Sequence, residues 1–225
     1  GRRARRHRAL ATRGCVSPRS RRDGGRELHG FVRVGERLRL QPFLEGAAVL
    51  GGEPADQRRE VTVEEQAVSL LALQQPVAVD LRFLIAALKI NSDLERIGDH
   101  AVNIAEGAER LAGQKPFKPF IDLPYMAEVA MAMLKDSLDA FVNRDAELAK
   151  KVIRRDDILD EKNVSIIREL LTYMAEYPTL ITYCIELISI SKNLERVGDL
   201  ATNICEDTIF IAEARWVKHH VTEIH

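Results

Sequence analysis

The chain has 225 residues, 46% of them hydrophobic but only 5% aromatic; that is enough apolar side chain for a core, and a core poor in aromatics leans helical. No stretch reaches the roughly 18 unbroken apolar residues that cross a bilayer, and three cysteines (Cys15, Cys184, Cys205) without metal-ligand spacing suit a reduced, cytoplasmic setting. The net charge of −1 hides an asymmetry: residues 1–59 carry +9, with 15 Arg and no Lys, and the remainder carries −10, which argues against nucleic-acid binding and for cations or basic partner surfaces as ligands.

Residues 1–57 show no sustained helical or strand period. They are rich in Arg and Gly, from Arg2-Arg3 through Asp23-Gly24-Gly25 to Gly51-Gly52, and have no apolar run of the kind a secretory signal needs. Such a segment cannot bury enough apolar surface to offset its chain entropy. It reads as disordered or as not native coding sequence, for example the product of a shifted reading frame. The pattern then turns helical. A first unit covers 58–113: a helix from Val61 to about Gln74 that Pro76 ends, then one long helix from Val77 to about Leu111 with Leu81, Leu84 and Leu88 in its apolar stripe. Pro116, Pro119 and Pro124 make 114–124 a linker. A second unit covers 125–216. It has a helix from Tyr125 to Phe141, a break at Asn143-Arg144-Asp145 with Asp145 as N-cap, a helix from Ala146 to Glu176, and a last helix from Pro178 to about Ala214. Residues 217–225 form a tail whose His219, His220 and His225 carry little weight.

An internal repeat organises this pattern. Ile90 to Glu106 aligns with Ile190 to Glu206 without a gap, and 10 of the 17 positions are identical. Each copy lies on a long helix that follows a proline, Pro76 or Pro178, and a shorter helix. The expected fold is therefore all-α, built from two copies of one helical unit. The second copy shows three helices and the first only two, because its opening helix falls within the irregular segment.

The repeated helix carries the chemistry. At about 100° per residue, Asp99, Asn103 and Glu106 lie within about 80° of Glu95, so the four share one face over about three turns. Glu195, Asp199, Asn203 and Glu206 do the same. Carboxylates at i and i+4 sit about 6 Å apart and repel by a few tenths of a kcal/mol. An acidic run on a helix is ordinarily solvated surface, but the same four residues written twice point to a cation that offsets the repulsion. Hard oxygen donors suit Mg, Mn, Fe or Ca. On the preceding helix Asp156 and Asp160 repeat the i, i+4 spacing and can meet Glu195 and Asp199 if the helices pack antiparallel across Pro178. Asp157 points about 100° away, toward solvent. Around Asp56 and Glu60 the first unit offers no comparable pair.

Neighbouring residues have plainer readings. His100 lies about 140° from Glu95 and matches Leu200, so it is not expected to be a ligand. Cys205 matches Ala105 and reads as a small packing residue. Gly98 and Gly198 each cost about 1 kcal/mol in a helix interior and are expected to permit close approach, of a packed helix before hydrated metal. Arg96 and Arg196 can balance the acids. The chain contains no Walker A loop, dinucleotide-binding glycine fingerprint or Gly-x-Ser-x-Gly elbow. Glu95 and Glu195 are followed at +3 by glycine rather than by the His of di-iron carboxylate enzymes. Catalysis has no support in the sequence; a carboxylate-bridged metalloenzyme is the alternative function.

These residues resemble the PhoU family of phosphate-specific transport accessory and regulatory proteins. The likeness rests on Leu73-Gln74-Gln75-Pro76-Val77-Ala78-Val79-Asp80-Leu81-Arg82, on Asp93-Leu94-Glu95-Arg96-Ile97-Gly98-Asp99 and on Asn193-Leu194-Glu195-Arg196-Val197-Gly198-Asp199. The family's acidic signature falls at Glu95/Asp99, Asp156/Asp160 and Glu195/Asp199. The likeness runs from about Val61 to the C-terminus, whereas 1–57 lack the family's opening helix and its acidic motif. It implies two tandem three-helix bundles related by a pseudo-twofold repeat, the first incomplete at its N-terminal helix, with carboxylate faces that bind iron, zinc, manganese or magnesium, in a multinuclear cluster. It further implies a cytoplasmic, homodimeric, non-enzymatic negative regulator of phosphate uptake and phosphate-starvation signalling. Such a protein links the phosphate ABC transporter's ATPase to a sensor histidine kinase and reaches the membrane only through its partners. Metal is expected mainly in the second unit.

Overall fold

The computed structural model describes residues 54–112, 114–117 and 122–214, with side chains from residue 62 onward. Among these residues there is no strand. The helices are α1 (Pro54–Gln74), α2 (Val79–Leu111), α3 (Asp122–Asn143), α4 (Ala146–Ile153), α5 (Asp156–Glu176) and α6 (Ile181–Glu213), with a 3₁₀ turn at Pro178–Leu180 between the last two. The two helices that carry the repeat are equal in length, 33 residues each. No helix among the described residues is long and apolar enough to cross a membrane.

The fold is the expected all-α repeat: among the described residues α1 and α2 pack together as the first unit, and α3, α4–α5 and α6 form the three arms of the second. Helices α2 and α6 share the most extensive interface and run antiparallel. Three cross-links show this, as the residue numbers fall on one helix while they rise on the other. Lys89 Nζ donates to Asp207 Oδ1 at 2.9 Å, His100 Nδ1 lies 2.9 Å from Asn193 Oδ1, and Arg110 Nε donates to Glu186 Oε2 at 2.9 Å. Helix α6 also packs against α3, α4 and α5. Its Leu187, Ile190, Leu194, Val197 and Ile204 are all essentially without solvent exposure. A buried pair inside the second unit, Ser191 Oγ donating to Asn163 Oδ1 at 2.8 Å, fixes the register of α5 on α6.

Several boundaries depart from the sequence expectation. Helix α1 begins at Pro54, seven residues before Val61, and reaches into the segment read as irregular; the rest of that segment, residues 1–53, lies outside the described residues. Helix α3 is longer than expected at both ends. The single helix expected over Ala146–Glu176 is broken at Arg154-Arg155. No Pro or Gly marks that break, and Arg155 keeps right-handed helical angles. At the break the Arg155 guanidinium reaches back to Asp136 on α3, with Nη1 2.5 Å from Oδ2. Asp145 is the N-cap as expected, its carboxylate accepting from the Leu148 N–H at 2.9 Å. Arg144 just before it adopts φ 53°, and its guanidinium covers the Phe83 ring at 5.4 Å.

Candidate functional site

The α5–α6 pairing brings four of the expected carboxylates together. Asp156 and Asp160 are on the first turns of α5, and Glu195 and Asp199 on the middle of α6. The Asp156 carboxyl is pushed up to about 7, first by burial and then by the charges of Asp199, Asp160, Asp157 and Glu195. Burial, Asp199 and Asp157 raise Asp160, and burial, Asp199 and Asp160 raise Glu195 against the pull of Arg196. Asp156 Oδ1 is fully enclosed and has no hydrogen-bond partner, which is rare for a buried charged oxygen and costly without a compensating group. Asp199 Oδ2 instead accepts from Arg196 Nη1 at 2.9 Å. As expected, Asp157 faces solvent.

The donor chemistry fits a hard cation: oxygen ligands, an excess of negative charge, and one orphaned oxygen. Among the described residues no three His, Cys, Asp or Glu side chains are already arranged around one metal position, and Asp199 is engaged by Arg196.

The other expected ligands go elsewhere. Glu95, Asp99, Asn103 and Glu106 are exposed on α2, and Arg110 Nη1 stands 3.7 Å from Glu106 Oε2. Asn203 and Glu206 line a cavity of about 280 Å³ between α2 and α6, together with Lys89, Ser92, Asp93 and Asp207. Sequence reasoning did not single out Asp93 and Asp207, yet both are buried. Burial raises the Asp93 carboxyl and Asp207 adds to this, against the opposing effects of Arg96, Lys89 and a hydrogen bond from Asn203. A signal existed. Asp93 falls on the apolar stripe between Ile90 and Ile97, and Asp207 between Ile204 and Ile211, where an acid is out of place. A search for duplicated acids missed them because their repeat partners are Asn193 and Gly107.

The plainer readings stand as follows. His100 hydrogen-bonds across the helix pair to Asn193. Cys205 is fully buried, and burial pushes its thiol up to about 12. Gly198 is a close-packing glycine, because a Cβ there would lie 2.5 Å from Leu159 Cδ1. Cys15, His219, His220 and His225 lie outside the described residues.

A duplicated, antiparallel helical framework with carboxylates gathered on two facing helices defines a class of helical-repeat protein. The chain belongs to the PhoU family: a family model described as the PhoU domain matches residues 57–108 and 123–208. It is 41% identical over 176 residues to the phosphate-specific transport system accessory protein PhoU homolog of Aquifex aeolicus, covering 78% of this chain and 80% of that protein. It is 40% identical over 163 residues to the homolog of Clostridium acetobutylicum, covering 72% and 74%. Its structure is similar to the crystal structure of PhoU from Pseudomonas aeruginosa, with a TM-score of 0.70 and 29% identity over 86% of this chain and 98% of that one. The phosphate transport system regulatory protein PhoU from Streptococcus pneumoniae also gives 0.70, at 26% identity.

Proposed function

We propose that this protein is a non-enzymatic negative regulator of phosphate uptake and phosphate-starvation signalling, a metal-binding helical adaptor between the phosphate ABC transporter's ATPase and a sensor histidine kinase. Membership of a family whose curated relatives are named as accessory proteins of phosphate-specific transport supports the phosphate role. The observation that carries the metal is the α5–α6 quartet with its orphaned Asp156 oxygen. Asp156, Asp160, Glu195 and Asp199 are the residues to hold it. A bound iron, zinc, manganese or magnesium ion supplies the positive charge that the quartet lacks and ties α5 to α6. The protein works in the cytoplasm as a homodimer and meets the membrane only through its partners.

The test is a pull-down from cells with the intact chain and with Asp199→Asn, with metal content measured on each. The intact chain is expected to carry metal and to recover the transporter ATPase and the histidine kinase, and the variant to lose metal. Recovery of neither partner by the intact chain refutes the adaptor reading.

A further inference from the structure

We infer that Gly198 is a positioning residue for the α5–α6 carboxylate cluster: its missing side chain sets how closely α5 approaches α6 and thereby seats Asp156 over the cluster. The inference rests on the metal-binding reading above and deepens it. A glycine inside a helix costs about 1 kcal/mol relative to alanine, so its place at the middle of the 33-residue α6 calls for a compensating contact. The surroundings supply one. A Cβ at 198 would lie 2.5 Å from Leu159 Cδ1, 3.1 Å from Asp156 Oδ1 and 3.7 Å from Met133 Cε. The first distance is one that no packed carbon pair tolerates. Leu159 is completely buried, so it cannot swing into solvent to make room. It stands three residues after Asp156 and one before Asp160 on the same helix, so a new position for its side-chain end in this packed core is taken up by its neighbours, the turn that holds both acids among them.

The second distance matters as much as the first. The carboxylate oxygen that lacks a partner is the one that rests on the bare Cα of Gly198. Apolar packing and acid placement therefore meet at one atom position. Gly107, which is also buried, provides the contrast. A Cβ there would meet Ile190 Cγ1 at 3.0 Å, Ile190 Cδ1 at 3.4 Å and Arg110 Nη2 at 3.8 Å, with no carboxylate among these three nearest atoms. Gly107 is a packing glycine alone.

The experiment titrates the full chain with Co(II), reading affinity and the visible absorption of the bound ion, for the wild type and three variants. Gly198→Ala is expected to weaken Co(II) by about tenfold or more, the range for residues that orient metal ligands, and to shift the absorption bands. Adding Leu159→Ala to Gly198→Ala vacates the clashing methyl; it is expected to restore the wild-type spectrum while lowering the melting temperature further. Gly107→Ala is expected to alter stability and leave Co(II) binding unchanged. If Gly198→Ala fails to fold, the double variant carries the test. A Gly198→Ala chain that binds Co(II) as the wild type does, or a folded double variant that does not recover, overturns the positioning role. A wild type that binds no Co(II) removes the metal reading itself, and the positioning role with it; that result is distinct from wild type and variant binding alike.

Discussion

Neutralising Asp156 should stabilise the metal-free protein, and should do so only where the carboxyl would otherwise be ionised. Its carboxyl rises from the ordinary 3.8 to about 7 in the folded chain, with burial as the first cause and Asp199 as the second. Between those values the folded protein holds a proton that the unfolded chain has released. More protons bound in the folded state means that stability falls as pH rises through this window and levels off above about 7. At about 1.4 kcal/mol per unit the rise sets a ceiling of about 4 kcal/mol. The carboxyl is not wholly enclosed and solvent screens part of the repulsion, so about 1–2 kcal/mol remains. Asp156→Asn removes the charge at nearly constant volume. In chelator-treated protein the variant and the wild type are expected to melt together near pH 4. At pH 8 the variant is expected to melt higher by about 2–8 °C, the shift such an energy gives in a chain of this size. Thermal melts by circular dichroism at both pH values read this directly. A melting difference that is the same at pH 4 and pH 8 refutes the electrostatic account of the cluster.

Two further outcomes follow from the geometry. Glu195→Gln is expected to remove more bound metal than Glu95→Gln, because Glu195 faces Asp160 and Asp199 while Glu95 is exposed on α2; metal analysis of the purified variants checks this, and equal losses count against it. Asp145→Ala deletes the only side-chain acceptor seen at the start of α4 and is expected to cost about 1 kcal/mol, read as a lower urea midpoint with an unchanged slope.

What the sequence made legible was what a few neighbouring residues decide. Helix type, the long 33-residue arms and the Asp145 cap all follow from local spacing and capping chemistry, which act within a few residues. The break at Arg154-Arg155 was not legible, because no Pro or Gly marks it and the contact made there, Arg155 to Asp136, reaches another helix. The quartet was half legible: i, i+4 spacing selects Asp156, Asp160, Glu195 and Asp199, but the shared helical face also selects Asn203 and Glu206. Those two turn toward α2, because the long antiparallel packing of α2 on α6 claims that part of the helix. Sequence angles describe one helix; which neighbour a face meets is decided by the other.

That division explains why the two copies of one helix serve different ends. At position 207 the second copy has an aspartate that accepts from Lys89, where the first copy has Gly107 pressed on Ile190. At position 193 an asparagine meets His100, where the first copy has the buried Asp93. These exchanges lie on the α2–α6 seam, and in each the two copies carry different side chains. Glu95/Asp99 and Glu195/Asp199 are identical in the two copies, and so are Asn103/Asn203 and Glu106/Glu206, of which Asn203 and Glu206 line the seam. In the second unit α5 brings Asp156 and Asp160 to the face of Glu195 and Asp199. The acids are written twice, and the helix packed against each copy decides which neighbours they meet.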